Sequence, residues 1–175
     1  MNLKHVLAIL ITTFMLSFGL PKNIQKKVDA VIKSTFNIEH FELSAMLFSQ
    51  EITNTLPATF GIDNLFKIED TNILIGYAYI GKAQSKTDEF DYLILLDKDL
   101  VIVKSKVLIY REDYGGEIGS KRWLKQFIGK SYNDRLMYGD NIAAISGATI
   151  SVQSMTAAIN NVLASIKILH EKTLL

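Results

Sequence analysis

The sequence predicts an α+β fold in which helices pack on one antiparallel sheet. The middle of the chain contains apolar, β-branched runs that are joined by short turns, and apolar residues recur at helical spacing near both ends. No internal repeat and no long linker divides the 175 residues. Because 49% of the residues are hydrophobic and only 21% are charged, a single well-packed core is expected.

The composition excludes several kinds of chemistry. The chain has no cysteine, so it has no disulfide, thiolate nucleophile, cysteine-ligated zinc, iron–sulfur cluster or c-type haem attachment. A lipidated N-terminal cysteine is excluded for the same reason. The histidines His5, His40 and His170 are far apart, so no metal site is predicted. The net charge of +1 gives no basic excess for nucleic-acid binding.

Residues 1–20 are typical of a signal peptide or an N-terminal membrane anchor. Lys4 is followed by an apolar run over residues 6–18, and Pro21 opens a polar stretch. The run is shorter than the roughly 20 residues of a spanning helix, which favours a signal peptide over an anchor. A buried N-terminal helix of a cytosolic protein is a weaker alternative, since no amphipathic period is visible. We therefore expect the domain to lie outside the cytoplasm, in the periplasm or on the outer face of the cytoplasmic membrane.

Residues 21–64 are predicted to form a leading helix and a connecting segment. The helix covers residues 23–36, because apolar side chains fall at helical spacing opposite lysines; they are Ile24, Val28, Val31, Ile32 and Thr35. The following stretch has a mixed pattern that Pro57 interrupts, and it predicts no regular element.

Four strands are predicted next, at residues 65–69, 72–82, 90–96 and 100–110. A turn at Asp70 and Thr71 joins the first two, and a turn at Asp97–Asp99 joins the last two into a hairpin. Gly76 lies inside the second strand, which indicates a bulge or a close approach by another group.

The pattern then changes to loops and helices. Residues 111–120 form a glycine-rich loop, and Ser120 is a suitable cap for a short helix that Gly129 ends. The apolar residues of that helix are Trp123, Leu124, Phe127 and Ile128. The last predicted helix covers residues 151–169, and its apolar stripe consists of Met155, Ile159, Val162, Leu163, Ile166 and Leu169.

Residues 146–149 read Ser-Gly-Ala-Thr and lead into this last helix. The free N–H groups and the dipole at a helix start favour an anion such as phosphate, and Gly147 permits close backbone approach. Thr149 and Ser151 place hydroxyls at the same point. The alternative is an ordinary capped helix start, for which Ser or Thr is common.

These motifs together resemble the FMN-binding domain family, which includes the C subunit of the sodium-translocating NADH:quinone reductase and the G subunit of the Rnf complex. The resemblance is carried by Ser-Gly-Ala-Thr before a terminal helix, by the Gly115, Gly116, Glu117 loop, and by the aromatic helix between them. It covers roughly residues 65–168, so residues 65–175 are predicted to be an FMN-binding domain. The export segment before it also agrees, and the chain is similar to a stand-alone, exported member.

The resemblance implies a function. The threonine that ends Ser-Gly-Ala-Thr, here Thr149, carries FMN through a phosphoester that a flavin transferase makes from FAD outside the cytoplasm. Ser146, Gly147 and Ala148 would shape the turn, and Ser151 would cap the helix or bond a phosphate oxygen. The loop of Gly115, Gly116 and Glu117 would lie beside the flavin. The expected protein is an electron carrier between a membrane donor and an extracytoplasmic acceptor, rather than a substrate-converting enzyme.

One position departs from the family pattern and keeps two alternatives open. The family usually has Asp three residues before the serine, where this chain has Ala143, and the nearest upstream acid is Asp140. If the transferase needs that carboxylate, either a loop shift lets Asp140 replace it, or the protein is an accessory or binding module that holds FMN non-covalently or not at all. A third hypothesis is an unrelated exported binding protein. It requires the glycine loop and Ser-Gly-Ala-Thr to lie apart, whereas a flavin site requires them to meet in one cleft.

Several neighbouring residues have two interpretations. Trp123 and Phe127 are placed to stack on a flavin, but their helical spacing favours the core. Tyr110 and Tyr114 flank the glycine loop, where one of them is able to cover the ring. The basic residues Arg111, Lys121 and Arg122 either stabilise a reduced flavin or form a solvated patch, and the patch is favoured.

Overall fold

The computed structural model describes residues 20–175. The predicted export segment falls on residues outside this range, apart from Leu20. The helices are α1 (Lys22–Phe36), α2 (Gln50–Thr53), α3 (Lys121–Leu124) and α4 (Thr149–Glu171). The strands are β1 (Glu42–Ala45), β2 (Leu65–Asp70), β3 (Ile73–Gln84), β4 (Glu89–Asp97) and β5 (Ile102–Ile109), and 3₁₀ turns cover Gly116–Gly119 and Lys125–Phe127.

The five strands form one antiparallel sheet in the order β1-β2-β3-β4-β5. The predicted α+β class, an antiparallel sheet with packed helices, is confirmed. Each strand pairs with the next along the chain. Short turns join β2 to β3, β3 to β4 and β4 to β5, whereas a longer segment that contains α2 connects β1 to β2. The β2–β3 turn lies at Thr71 and Asn72, one residue later than predicted, and both adopt a positive φ (51° and 65°). That geometry is typical of a two-residue hairpin turn.

The turn between β4 and β5 makes β5 shorter than predicted. The Asp97 carboxylate accepts hydrogen bonds from the backbone N–H groups of Asp99 (3.0 Å) and Val101 (2.9 Å). Leu100 adopts a positive φ of 62° in this turn. Pairing of β5 therefore begins at Ile102, where the chain is extended again.

Helices cover the two faces of the sheet. On one face, α1 buries Ile24, Val28 and Ile32 against sheet residues that include Leu93 and Leu95. On the other face, α4 packs against Tyr92, Ile94 and Leu96. The predicted α4 stripe is confirmed, since its members are all buried: Met155, Ile159, Val162, Leu163, Ile166 and Leu169. The alternation along β4 explains the two faces, because successive side chains of a strand point to opposite sides.

Gly76 meets the prediction of a bulge and a close approach. The pairing of β2 with β3 shifts register between Ile68 and Glu69, opposite this point. A β-carbon on Gly76 would clash with the carbonyl oxygen of Leu96 on the neighbouring strand. A larger residue here would therefore force β3 and β4 apart.

Two elements and one detail were not predicted. The strand β1 and the short helix α2 lie in the stretch for which no regular structure was expected. The helix that Ser120 caps is shorter than predicted: α3 ends at Leu124 and continues as a 3₁₀ turn. Ile128 consequently leaves the apolar face and is 44% exposed. Within residues 20–175, no helix is both long and apolar enough to span a membrane.

Candidate functional site

The long helix α4 begins at Thr149 and has no side-chain cap. Its N-cap position is Ala148, which cannot accept a hydrogen bond through its side chain. Of the two roles expected for Ser151, capping the helix does not occur, because helical structure starts two residues earlier and Ser151 lies buried in the first turn; bonding a phosphate oxygen stays a prediction. The alternative interpretation of Ser-Gly-Ala-Thr, an ordinary helix start capped by Ser or Thr, is likewise not observed. The N–H groups of the first turn remain available to an anion.

The Ser151 hydroxyl instead contacts the end of the sheet. Its Oγ lies 3.0 Å from the Tyr110 hydroxyl, in hydrogen-bond contact. Tyr110 follows β5 directly, so this bond fixes the start of α4 to the strand that leads into the glycine loop.

The four residues of Ser-Gly-Ala-Thr differ in their exposure to solvent. Gly147 adopts a φ of +81°, a left-handed conformation that other residues rarely adopt. The backbone N–H of Ala148 donates to the Ile145 carbonyl at 3.1 Å and closes the turn. Ala148 is buried, whereas Ser146, Gly147 and Thr149 are exposed. The Thr149 hydroxyl is therefore on an accessible residue at the helix start.

The glycine loop and Ser-Gly-Ala-Thr meet. A β-carbon built on Gly115 would lie 3.0 Å from the β-carbon of Ala148, 3.0 Å from the Tyr110 hydroxyl and 3.3 Å from the Gly147 carbonyl oxygen. The two motifs therefore do not lie apart, as the hypothesis of an unrelated binding protein requires.

On one side of this contact is a cavity of about 440 Å³, which we call the Thr149 cavity. Lys86, Tyr110, Glu112 and Tyr114 line it together with the residues 147–151. Two large apolar side chains at this cavity are open to solvent: Tyr114 is 82% exposed and Ile150 is 47% exposed. The cavity thus combines an uncapped helix start with exposed aromatic and aliphatic surface.

On the other side is a cavity of about 690 Å³, which we call the Ser146 cavity. Glu117, Arg122, Trp123 and Gln126 line it with Ser146. The predicted site residues are therefore divided. Thr149, Gly147, Ala148 and Ser151 line the first cavity, Ser146 and Glu117 line the second, and Gly115 lies at the contact between the two loops. Gly116 is exposed, with open space around it.

The departure at residue 143 lies at the Ser146 cavity. The Trp123 indole N–H donates to the Ala143 carbonyl at 2.8 Å, and the Ala143 N–H donates to Gln126 Oε1 at 2.7 Å. These bonds hold position 143 on the same cavity as Ser146. Asp140 lies in a separate turn, where its N–H donates to the Met137 carbonyl, and it lines neither cavity. The structure gives Asp140 no place as a substitute for the missing carboxylate.

Trp123 is a core residue. It is 5% exposed and packs edge-to-face on Phe127, with ring centroids 5.1 Å apart. The interpretation of both rings as core is thus confirmed. Arg111 pairs with the buried Asp91 and donates to the Glu89 carbonyl, so it anchors the sheet edge. Of the three basic candidates, Arg122 is the one that lines the Ser146 cavity.

Sequence reasoning missed Glu112, which holds the rim of the Thr149 cavity. The backbone N–H of Thr87 donates to Glu112 Oε1 at 2.6 Å, and that of Asp88 at 3.3 Å. These bonds, the Thr87 one above all, lower the pKa of Glu112 because they stabilise the carboxylate. They tie the β3–β4 loop, with Lys86, to the segment after β5. No local pattern signals the pairing, since about 25 residues separate the partners.

The structure thus combines an open antiparallel sheet, an uncapped helix start that carries a threonine, and a cavity with exposed aromatic surface. The FMN-binding domain family matches residues 86–164, which include β4, β5, the glycine loop and most of α4. This match confirms the resemblance to the FMN-binding domain family and indicates a flavin-binding protein. No curated protein matches the sequence.

Proposed function

We propose that the protein is an exported flavoprotein that holds FMN covalently through Thr149 and relays electrons between a membrane donor and an extracytoplasmic acceptor. One observation carries the proposal. In a chain with an FMN-binding domain, the exposed Thr149 stands at an uncapped helix start beside the exposed ring of Tyr114. These are the features that a phosphate attached to an aromatic ring system needs.

The residues present fit the phosphate end of FMN. The N–H groups in the first turn of α4 and the helix dipole would stabilise the negative charge by about 0.3–1 kcal/mol. No acidic residue occupies that turn, so nothing on the helix repels an anion. Lys86 on the cavity wall adds a positive charge.

The residues also fit the ring. Tyr114 and Ile150 offer apolar surface whose burial against an aromatic ligand is favourable. Gly116 and Gly147 have no atom within 4 Å of where a β-carbon would stand, so both leave open space beside the two cavities. When bound, FMN supplies the one- and two-electron chemistry that the side chains lack. The protein's residues position it and exclude water from part of its surface.

Attachment requires an accessible hydroxyl and no other catalytic group of this chain. Thr149 Oγ would attack the FMN phosphorus of FAD, the pyrophosphate bond would break, and AMP would leave. The hydroxyl proton passes to a base of the transferase. The exposure of residues 146, 147 and 149 supports access by that partner enzyme.

Export is proposed from residues 1–20 and from the composition. A redox protein without cysteine cannot carry electrons on an iron–sulfur cluster or a c-type haem. A flavin held by a threonine avoids both. The protein also tolerates the oxidising conditions outside the cytoplasm, because it has no thiol.

A second candidate is an accessory module of the same fold that holds FMN non-covalently or not at all. The observation that favours it is Ala143, which leaves the Ser146 cavity without the family's carboxylate. This candidate needs no transferase.

Acid precipitation separates the two candidates. The chain is co-expressed with a flavin transferase, precipitated in acid and washed. Yellow colour that stays with the pellet supports covalent FMN, and colour that passes entirely to the supernatant supports the accessory module. Ala143→Asp restores the family carboxylate and should raise the flavinylated fraction if that carboxylate assists the transferase.

A further inference from the structure

A groove that lies outside both cavities of the flavin site concentrates positive charge. It has a volume of about 400 Å³ and is enclosed by α1, β5 and the α3 segment. We call it the lysine groove; its main lining residues are Val31, Lys104, Lys106, Lys121, Lys125 and Ile128. It shares no lining residue with the Thr149 cavity or the Ser146 cavity.

The four lysines have no anionic partner among the described residues. None of them takes part in the ion pairs there, although Lys33, Lys82, Lys98, Lys130 and Lys167 each do. On the neighbouring strand β4, Lys104 lies opposite Leu95 and Lys106 lies opposite Leu93. Because opposite residues of paired strands point to the same face, both lysines extend to the α1 side of the sheet. Four like charges in one groove repel one another, and an anionic partner would relieve that repulsion.

The groove is also apolar at its base. Val31 and Leu124 lie among the lysines, and Ile128 is 44% exposed there. The 3₁₀ turn Lys125–Phe127 causes this exposure, because it takes Ile128 off the buried face of the helix. An exposed apolar side chain in a basic concavity suits a ligand that presents both carboxylates and an apolar group.

We propose that the lysine groove docks an acidic segment of a partner protein, with an apolar side chain inserted beside Ile128. A flat anionic bilayer fits less well, because the groove is concave and a plane cannot reach its base. A small polyanion would use the lysines but not the apolar base. Both become outcomes of the test below.

The position of the groove gives the docked partner a role that rests on the proposed function. The short helix α3 separates the two sites: Lys121 and Leu124 line the groove, while Arg122 and Trp123 line the Ser146 cavity. A helix is about 10 Å across. A partner in the groove would therefore sit within about one helix diameter of the Ser146 cavity, and the role we assign to it is that of electron donor or acceptor.

The test uses a fluorescent peptide in which glutamates flank a single leucine, and it measures binding to the full chain by anisotropy. Lys104→Glu with Lys121→Glu should weaken binding about tenfold or more, since attraction becomes repulsion. The matched control is Lys167→Glu with Lys172→Glu, which makes the same change in net charge at the C-terminal end of α4, at residues that do not line the groove. This control should bind the peptide with an affinity within about twofold of the wild type.

Further arms of the experiment distinguish the ligands. A peptide with alanine in place of leucine should bind several-fold more weakly, and so should the Ile128→Ser chain with the leucine peptide. Equal binding of both peptides would overturn the apolar insertion and indicate a polyanion site. Binding to phosphatidylglycerol vesicles that Lys104→Glu with Lys121→Glu abolishes, with no peptide binding, would overturn the proposal in favour of a membrane site.

Peptide binding by Thr149→Ala distinguishes a failure of the docking proposal from a failure of flavin attachment. That variant should bind the peptide as the wild type does, because Thr149 is not in the groove. If it binds normally but carries no flavin, both proposals stand. If the wild type carries covalent flavin but the groove variants bind the peptide unchanged, the docking proposal alone fails.

Discussion

Gly115 lies against Ala148, and a β-carbon on Gly115 would stand 3.0 Å from that of Ala148. Gly115 also adopts a φ of +78°. This one contact brings the glycine loop to the start of α4, and the close approach depends on a residue without a side chain.

The first prediction concerns this contact. Gly115→Ala should lower the free energy of unfolding by about 1–2 kcal/mol, because a left-handed alanine is strained and its methyl crowds Ala148. It should also reduce FMN loading by separating the loops. Urea unfolding and the flavin absorbance of the purified protein measure the two effects.

Gly116→Ala is the matched control. The neighbouring glycine has no positive φ, and no atom lies within 4 Å of its would-be β-carbon. Its substitution should leave stability unchanged or raise it by less than about 1 kcal/mol. Equal losses in both variants would show that the contact with Ala148 has no special role.

The second prediction concerns the bond between Tyr110 and Ser151. Tyr110→Phe and Ser151→Ala should each cost about 1 kcal/mol, because each leaves a largely buried hydroxyl without its partner. The double variant should cost less than the sum, since the second change removes the orphaned group. Strictly additive losses in chemical unfolding would contradict a direct bond.

The third prediction concerns Tyr114. Because its side chain is 82% exposed, Tyr114→Ala should change stability by less than about 0.5 kcal/mol. In the flavin-loaded protein it should raise flavin fluorescence, since a stacked tyrosine quenches the ring. Ile73→Ala is the control, because Ile73 on the β2–β3 hairpin is also a largely exposed apolar residue, and it should leave fluorescence unchanged. Unchanged fluorescence in Tyr114→Ala would place the ring away from Tyr114.

The fourth prediction is a pH dependence. The pKa of Glu112 lies below its ordinary value of 4.5 because backbone N–H groups, first that of Thr87, bond its carboxylate. A lowered pKa in the folded state means that the stabilisation is complete above the unfolded pKa and is lost as pH falls through the folded pKa. Wild type should exceed Glu112→Gln in stability at pH 7, and the difference should shrink below pH 4.5. A difference that stays constant down to the acid limit of folding would contradict this cause.

The sequence predicted the helices and strands correctly where a local pattern is compatible with one structure only. The α4 stripe and the hairpins follow from periodicity and turn residues, because local spacing alone decides which side chains face the core. Ser120 was identified as a cap, and its hydroxyl does accept from the Trp123 N–H at 3.3 Å.

Other features depend on partners that are distant in sequence. The edge strand β1 is short and mostly exposed, so no alternation marks it, and its pairing with β2 alone defines it. Ser151 looked like a cap because serine often is one, but Tyr110 holds it inside the helix. The contact of Gly115 with Ala148 joins two loops that are distant in sequence, and no local motif encodes it.

The intact mass of the protein tests the central claim most directly. Wild type and Thr149→Ala are co-expressed with a flavin transferase and measured by denaturing mass spectrometry. We predict that wild type carries one added FMN, joined with loss of water, and that Thr149→Ala carries none. The same spectrum reports whether residues 1–20 have been removed. An added FMN of equal amount in both proteins, or in neither, would contradict attachment at Thr149.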